Sequence, residues 1–328
     1  MTKPSFNSIY KDDLQAYLDI RINSMAWNTY RLDFYRLSSF DRYLCSISHD
    51  SDIVTQEIIN EWLSCNSVPD ASLEGYIKAV RGFMQYRVSL GKAAYIPPYR
   101  KRTNLYIPYI FDRDELSGII SYVDDNAFVN KHSSVPYVKI EMAMLIRLLY
   151  CCGLRLGEAL TLQVKHINFT DGIINITHAK SDKQRLVPVH ESLNELLNRY
   201  CSALGLLGDP EAFIFPGRNT GTGLSQSTAE RHFKSILQHQ GIIDADRDIH
   251  ERGPCLHCLR HCFMLSAFRQ LEASGHTVDL AAPYLSIYCG HESLIESEKY
   301  LKFSSEMFVE EMAAFSMFSA RLFPEVDL

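Results

Sequence analysis

Two adjacent prolines, Pro97 and Pro98, divide this 328-residue chain into parts that cannot share a helix. Proline lacks a backbone N–H and its ring clashes with the preceding turn, and Gly91 adds a break just upstream. Before the break, apolar residues recur at helical spacing. Thr29–Leu44 places Leu32, Phe34 or Tyr35, Leu37, Phe40 and Leu44 near one face. Val54–Leu63 and Leu73–Leu90 repeat the pattern, the latter with Lys78, Arg81 and Arg87 among its apolar positions. The expectation is a helical domain over residues 1–95 and a linker over 96–110. That linker holds Ile96-Pro97-Pro98-Tyr99-Arg100-Lys101-Arg102, which reads equally as a solvated loop or as a stiff basic segment lying on a polyanion.

After the break the pattern is mixed. Asp112–Val123 reads as a helix led by acidic residues, Asp124–Pro136 as an irregular insertion, and Ile140–Cys151 as a buried helix ended by Gly153. Asp171-Gly172 introduces two short β-like runs, Ile173–Thr177 and Arg185–Val189, joined by a turn containing Lys180-Ser181-Asp182-Lys183. Helices are expected at Leu193–Leu204, Ser227–Gln238, His257–Ser274 and in the final third. Gly217–Gly223 is glycine-rich but lacks the Lys-Ser/Thr and following helix of a phosphate-binding loop, and reads as a plain loop. The fold class is therefore mostly α with a small β-sheet: a helical N-terminal domain and a mixed α/β domain over 111–303, with a tail over 304–328.

Composition places limits on function. With 46% hydrophobic and 22% charged residues the chain is that of an ordinary globular protein. No run approaches the roughly 20 apolar residues of a membrane span, and Met142–Cys152 is interrupted by Arg147. Met1–Tyr10 has no signal-peptide character, so a cytoplasmic location is expected. Nine cysteines, an odd number, then point to reduced thiols rather than a disulfide framework. Cys255, Cys258 and Cys262, with His257 and His261 between them, suggest zinc, but no second ligand pair follows at finger-like spacing. Buried thiols on a helix, with no metal and no cofactor, is the reading carried forward.

The net charge of −6 argues against a polyanionic partner. Its distribution softens that objection. Residues 1–105 carry 13 Lys and Arg against 11 Asp and Glu, a net of +2, and the remainder carries 20 against 28, a net of −8. A local basic groove remains compatible with the total.

Several scattered residues fit one chemistry. Displacement at a phosphodiester needs a nucleophile, positive charge on the non-bridging oxygens and a proton for the departing oxygen. Arginine suits the second task because its planar fork binds two phosphate oxygens and keeps its charge. Arg155 follows the break at Gly153, where a new helix begins, and Glu158 stands three residues on. His257 and Arg260 are three apart and project from one face of a helix, with His261 on a neighbouring stripe. His291 and Tyr300 are nine apart, about 2.5 helical turns, so they reach one site only if the chain bends between them. Ser293 with Glu296 offers a capping box that starts a new helix there.

Gly153-Leu154-Arg155-Leu156-Gly157-Glu158, His257-Cys258-Leu259-Arg260 and Gly290-His291 followed by Tyr300 resemble, in that order, the motifs of the tyrosine recombinases, the phage-integrase-like site-specific recombinases. The resemblance runs from about Phe111 to Lys302 and is weaker, though compatible, before that. It implies a helical core-binding domain followed by a catalytic domain that cuts and rejoins DNA without metal or ATP. It makes Tyr300 the nucleophile, Arg155 and Arg260 the phosphate clamps, His257 a general acid/base, and His291 a hydrogen-bond donor to the phosphate. Glu158 would hold Arg155, and His261 would support the fold or orient a partner. The family's lysine lies in a hairpin turn before a segment like Gln184-Arg185-Leu186-Val187-Pro188, which favours Lys180, with Lys183 as its rival. Ala179, where the family more often has glycine, and the insertion at Asp124–Pro136 depart from the pattern without removing a reactive group.

The implied partners are double-stranded DNA carrying a specific site, further copies of the chain in a tetramer on two duplexes, and a partner recombinase or accessory protein. Candidate DNA contacts are Lys78, Arg81, Arg100, Lys101, Arg102, Lys183, and Arg231 and Lys234 on the helix around Ser225–Gln238. Phe308, Met312, Phe315, Phe318 (or Ser319) and Leu322 form an apolar stripe that packs on its own domain or, as commonly in the family, on a neighbouring protomer. The short stretch before residue 10 suggests the simple two-domain architecture of Xer-like, integron or transposon recombinases. A type IB topoisomerase-like activity and a non-catalytic DNA-binding accessory are the rival functions.

Overall fold

The computed structural model describes residues 6–65, 70–98, 108–127, 137–177, 184–219, 221–244, 253–275 and 278–290. The chain divides into two compact units, Met1–Leu105 and Tyr106–Leu328. As expected, it is mostly helical with one small sheet.

The first unit contains α1 (Lys11–Ile22), α2 (Trp27–Ser46), α3 (Gln56–Cys65) and α4 (Asp70–Ser89). Helices α1, α2 and α4 pack on one another around Leu14, Leu18, Leu37, Phe40, Leu44, Val80, Phe83 and Met84, and Trp62 of α3 closes the same core. Helix α1 lies outside the spans expected from the sequence. Of its side chains only Leu14, Tyr17 and Leu18 are buried, a narrow stripe among acids such as Asp12 and Asp13. Arg87 of α4 is fully buried. It donates to Asp13 Oδ2 (3.2 Å) and to the Asp52 carbonyl (2.9 Å) and carboxylate (2.5 Å), with its guanidinium 4.5 Å from the Tyr10 ring centre.

The second unit opens with α5 (Arg113–Asp125), held by a capping box: the Glu115 N–H donates to Asp112 Oδ1 (2.8 Å) and the Asp112 N–H to Glu115 Oε2 (2.9 Å). Helix α6 (Val138–Cys151) is buried almost all round and runs through the middle of the unit. It packs against α5, α7 (Leu156–Leu160), α9 (Gln226–His239) and α10 (Leu256–Ala273). A helix so placed is apolar on most faces, as this one is apart from Lys139, Glu141 and Arg147. After α7 the chain forms the antiparallel sheet β1 (Ile167–Asn168), β2 (Ile173–Ile176) and β3 (Arg185–Pro188), with Ile174 opposite Val187 and Ile176 opposite Arg185. At two residues β1 is too short to leave a period-two pattern, and it was not among the expected strands. Helix α8 (Glu191–Ala203) follows, and α11 (Val278–Cys289) closes the described chain. Helix α11 packs on α10 through Leu285 and Cys289 against Met264 and Phe268, and it also touches β3. Helices α7, α10 and α11 and strand β3 therefore meet at one place.

Candidate active site

The meeting point is built from arginines on three elements. The last carbonyls of a helix have no partner within it and carry the negative end of its dipole. At the end of α11, three consecutive carbonyls each accept from a different guanidinium. Arg185 Nε donates to Tyr288 O (2.8 Å), Arg260 Nη2 to Cys289 O (2.7 Å), and Arg155 Nη2 to Gly290 O (2.7 Å). Arg260 also donates to the Gly153 carbonyl, which ties α10 to the turn before α7. Hydrogen bonds with a charged partner contribute about 1.5–3 kcal/mol each, so this end is firmly held. It is also the end that leads, one residue later, into His291.

Both glycines at these turns are required. Gly290 has φ +62°, and a Cβ there would stand 3.2 Å from Arg185 Nη1 and 3.5 Å from Arg155 Nη1. At Gly153 (φ +60°) a Cβ would lie 2.3 Å from the Phe263 ring.

Glu158 organises the group. It is buried in α7 and accepts both Arg185 guanidinium nitrogens in a forked pair, Nη1 to Oε1 (2.9 Å) and Nη2 to Oε2 (2.8 Å). It also accepts from Arg155 Nη1 (3.0 Å) and from the Arg155 backbone N–H (2.8 Å). Burial alone would raise its pKa. The bonds from Arg185 and from the Arg155 backbone, with the Arg185 charge, overcome that and lower it to about 2. The carboxylate thus stays ionised and is shared by two guanidiniums, with that of Arg260 held on adjoining carbonyls. Among the described residues this is a local excess of positive charge in a chain whose total is −6.

His257 and Arg260 lie on one face of α10, and the His257 ring is reached by solvent. Partial desolvation, then the charges of Arg260 and Arg155, lower its pKa, so the imidazole is neutral at pH 7 and able to accept a proton. His261 stands edge-on to it, ring centres 4.6 Å apart and planes at 82°, and so fixes where the ring lies. Tyr288 is the described tyrosine of this neighbourhood. Its hydroxyl donates to Cys152 O (3.3 Å), its ring stacks on Phe263, and burial raises its pKa, which suits a structural side chain rather than a nucleophile.

Of the residues singled out by sequence, the structure brings together Arg155, Glu158, His257, Arg260 and His261. Lys180, Lys183, His291, Tyr300, Arg100, Lys101 and Arg102, and the apolar stripe of the tail, lie outside the described residues. Lys78, Arg231 and Lys234 are exposed on α4 and α9. Arg81 instead donates to the Pro97 carbonyl (2.6 Å), fastening α4 to the proline segment. Arg185 was passed over in the sequence as a strand residue. Its signal was a lone cation at the start of an apolar run, opposite Ile176. Among the described residues, no group of three or more His, Cys, Asp or Glu side chains is arranged to hold a metal ion.

The model of the phage integrase family matches residues 112–302, which span α5 to beyond α11 and contain Arg155, Glu158, Arg185, His257, Arg260 and His261. The chain belongs to the phage integrase family, the tyrosine recombinases. Its chemistry at the family level is site-specific cleavage and rejoining of DNA through a phosphotyrosyl link, a metal-independent strand transfer. The chain is 26% identical over 324 residues to y4rB of Sinorhizobium fredii, described as an integrase/recombinase, covering 93% of this chain and 96% of that one. Solved structures share its fold. XerH site-specific recombinase bound to its difH substrate in a pre-cleavage complex gives a TM-score of 0.60 at 21% identity, over 83% of this chain and 75% of that one. A lambda integrase tetramer bound to a Holliday junction gives 0.64 at 15% identity, over 90% and 78%.

Proposed function

We propose that this recombinase binds a defined site in duplex DNA, cuts one strand with Tyr300, and passes the broken end to a second duplex within a tetramer. The convergence of Arg155, Arg185 and Arg260 on the end of α11, with His257 near enough to feel the charges of Arg260 and Arg155, carries this reading. The anchored carbonyls of residues 288–290 lead directly to His291, and Tyr300 follows nine residues later.

In the proposed reaction the Tyr300 hydroxyl attacks the scissile phosphate while His257, neutral at pH 7, accepts its proton. Arg155 and Arg260 neutralise the two non-bridging oxygens, and His291 donates a further hydrogen bond to them. Lys180 protonates the departing 5′-oxygen. The product is a 3′-phosphotyrosyl link and a free 5′-hydroxyl, and the covalent bond retains the energy for rejoining. Glu158 and Arg185 never touch the phosphate; they set the angle of the Arg155 fork. In this reading residues 1–95 clamp the DNA together with the 111–303 domain, 96–110 lies on the backbone, and 304–328 docks on a neighbouring copy. The lambda integrase tetramer on a Holliday junction, which shares the fold, supports the assembly. No helix among the described residues is long and apolar enough to cross a membrane.

Covalent trapping tests the proposal. The wild type and Tyr300→Phe are incubated with nicked duplexes from the DNA flanking the gene and run on a denaturing gel. An adduct with the wild type that is absent from the variant is expected. Salt-sensitive binding without any adduct would overturn the catalytic assignment in favour of an accessory role. Relaxation of a plasmid lacking the site would point to topoisomerase-like activity.

A further inference from the structure

Helix α10 begins with a pair of thiols that the recombination chemistry does not use. Cys255 is the residue before the first turn and is exposed, whereas Cys258, one turn on, is buried. Their sulfurs are 3.7 Å apart, and the Cys255 backbone N–H donates to Cys258 Sγ (3.4 Å). The two residues between them are Leu256 and His257.

We propose that Cys255 and Cys258 are a reversible dithiol–disulfide site that exchanges with low-molecular-weight disulfides, and that its disulfide form misplaces His257. An accessible thiol at a helix start, with a second thiol buried one turn behind it, is the arrangement in which the outer sulfur attacks and the inner one resolves. A hydrogen bond from the Cys258 thiol, and then the backbone N–H groups of His257 and Cys258, lower the Cys255 pKa against the opposing effect of desolvation. The hydrogen bond to Cys255, and then burial, keep Cys258 protonated until the second step.

The exchange balances in two steps. The Cys255 thiolate attacks one sulfur of a disulfide RSSR, forming a Cys255–SR mixed disulfide and expelling RS⁻. Cys258 then loses its proton to solvent and attacks Cys255 Sγ, forming the Cys255–Cys258 bond and expelling the second RS⁻. Two protein thiols are oxidised and RSSR is reduced to two thiols once the RS⁻ groups take up protons.

Closing the sulfurs from 3.7 Å to the roughly 2.05 Å of a disulfide turns both cysteine side chains toward each other and tightens the first turn of α10. Leu256 and His257 lie inside the ring so formed, whereas Arg260 is anchored beyond it at two carbonyls. The strain therefore falls on His257. The disulfide itself does not depend on the recombinase reading; its effect on cleavage does.

The test uses the full chain, equilibrated in mixtures of reduced and oxidised glutathione, quenched by alkylation and mapped by peptide mass spectrometry. A Cys255–Cys258 linkage that appears and disappears reversibly, and that Cys255→Ser abolishes, is expected. Cys258→Ala should stop at the glutathione mixed disulfide on Cys255. A map showing Cys255 alkylated throughout, or linked only to glutathione in the wild type, would overturn the site. The oxidised and re-reduced proteins are then given nicked DNA. Adduct formation should fall about tenfold or more on oxidation, the scale of a misplaced catalytic group, and recover with reductant. An unchanged rate in the fully oxidised protein would overturn the effect on His257. No adduct in either state would count against the recombinase reading alone, with the mapped disulfide standing by itself.

Discussion

Each unit buries an arginine, and the two are held by different partners. Arg87 in the first unit meets Asp13 and Asp52, and Asp13 also receives Lys92 at 2.7 Å, so two cations face two carboxylates. At the site in the second unit, Arg155 and Arg185 share one carboxylate, Glu158. Arg155 is also held by the carbonyl of Gly290, and Arg260 by those of Gly153 and Cys289. A carbonyl satisfies a guanidinium N–H without cancelling its charge. The first arrangement has nothing left for an outside anion. Among the described residues the second is rigid and carries more cations than carboxylates, which is what a phosphate in transit between two oxygens requires.

The sharpest way to break this comparison is to change one arginine of each kind. Arg260→Lys should lower adduct formation about 10³-fold, the cost of removing one aimed donor from a developing oxyanion, with the protein still folded. Arg87→Met should leave cleavage unaffected at temperatures where the protein is folded. It should, however, lower stability in urea by about 3 kcal/mol, because the buried pair loses its cation. If Arg87→Met abolished cleavage in a fully folded protein, or Arg260→Lys only unfolded it, the division between structural and functional arginines would fail.

Two buried glutamates sharpen the contrast from the acid side. Glu158 sits among arginines with its pKa lowered to about 2, so the stability it contributes is present above 4.5 and is lost as pH falls toward 2. Glu141, fully buried in α6, has its pKa raised to about 8 by desolvation. Its effect has the opposite sign: stability is greatest below 4.5, where the unfolded carboxyl is also protonated, and is lost as pH rises toward 8. At pH 7 the penalty is on the order of 3 kcal/mol, at about 1.4 kcal/mol per unit of displacement. Glu141→Met should recover about 2 kcal/mol of this at pH 7 and little at pH 4.5, read from denaturation midpoints at the two values. A variant less stable than wild type at pH 7 would show that Glu141 has a partner that offsets its burial.

The sequence disclosed these two glutamates unequally, and the reason is physical. Arg155 with Glu158, and His257 with Arg260, lie within one helical turn of each other, so spacing alone puts each pair on a common face. Two of the long helices were legible for the same reason, since α2 and α9 carry their buried residues at helical intervals, and α6 was legible as a long apolar run. Arg185 was not legible because its partners lie 27 and 103 positions away, at Glu158 and at the Tyr288 carbonyl. No local pattern records a bond to a backbone carbonyl. The role of α11 was hidden too: Pro283 inside it argues against a helix, and its contribution to the site is made by main-chain atoms. Ile140–Cys151 read as a buried helix, but nothing in the spacing singles out Glu141 as the carboxylate buried with it.

Arg185 provides a smaller test of how much rigidity matters once charge is retained. It acts through Glu158 and not on phosphate, so Arg185→Gln should slow adduct formation about tenfold with little change in DNA affinity. Arg185→Lys, which restores the charge without the fork, should recover only part of the rate. Equal losses in rate and affinity would mean that Arg185 contacts the DNA itself.

The smallest effect expected is a displaced pH limb. Desolvation and then Arg260 and Arg155 lower the His257 pKa below 6.5, so the base form persists into mildly acidic solution. Cleavage at subsaturating DNA reports the free enzyme, and its rate should fall on the acid side with a midpoint below 6.5. His257→Gln should be slow and lack the limb. Arg155→Met, by removing one of the two nearby charges, should move the limb of its residual activity upward. A wild-type midpoint above 6.5, followed by NMR of the His257 ring, would mean that Glu158 reaches the imidazole more strongly than the two arginines do. The positive excess that distinguishes this site from the neutral Arg87 cluster would then be felt only by the phosphate.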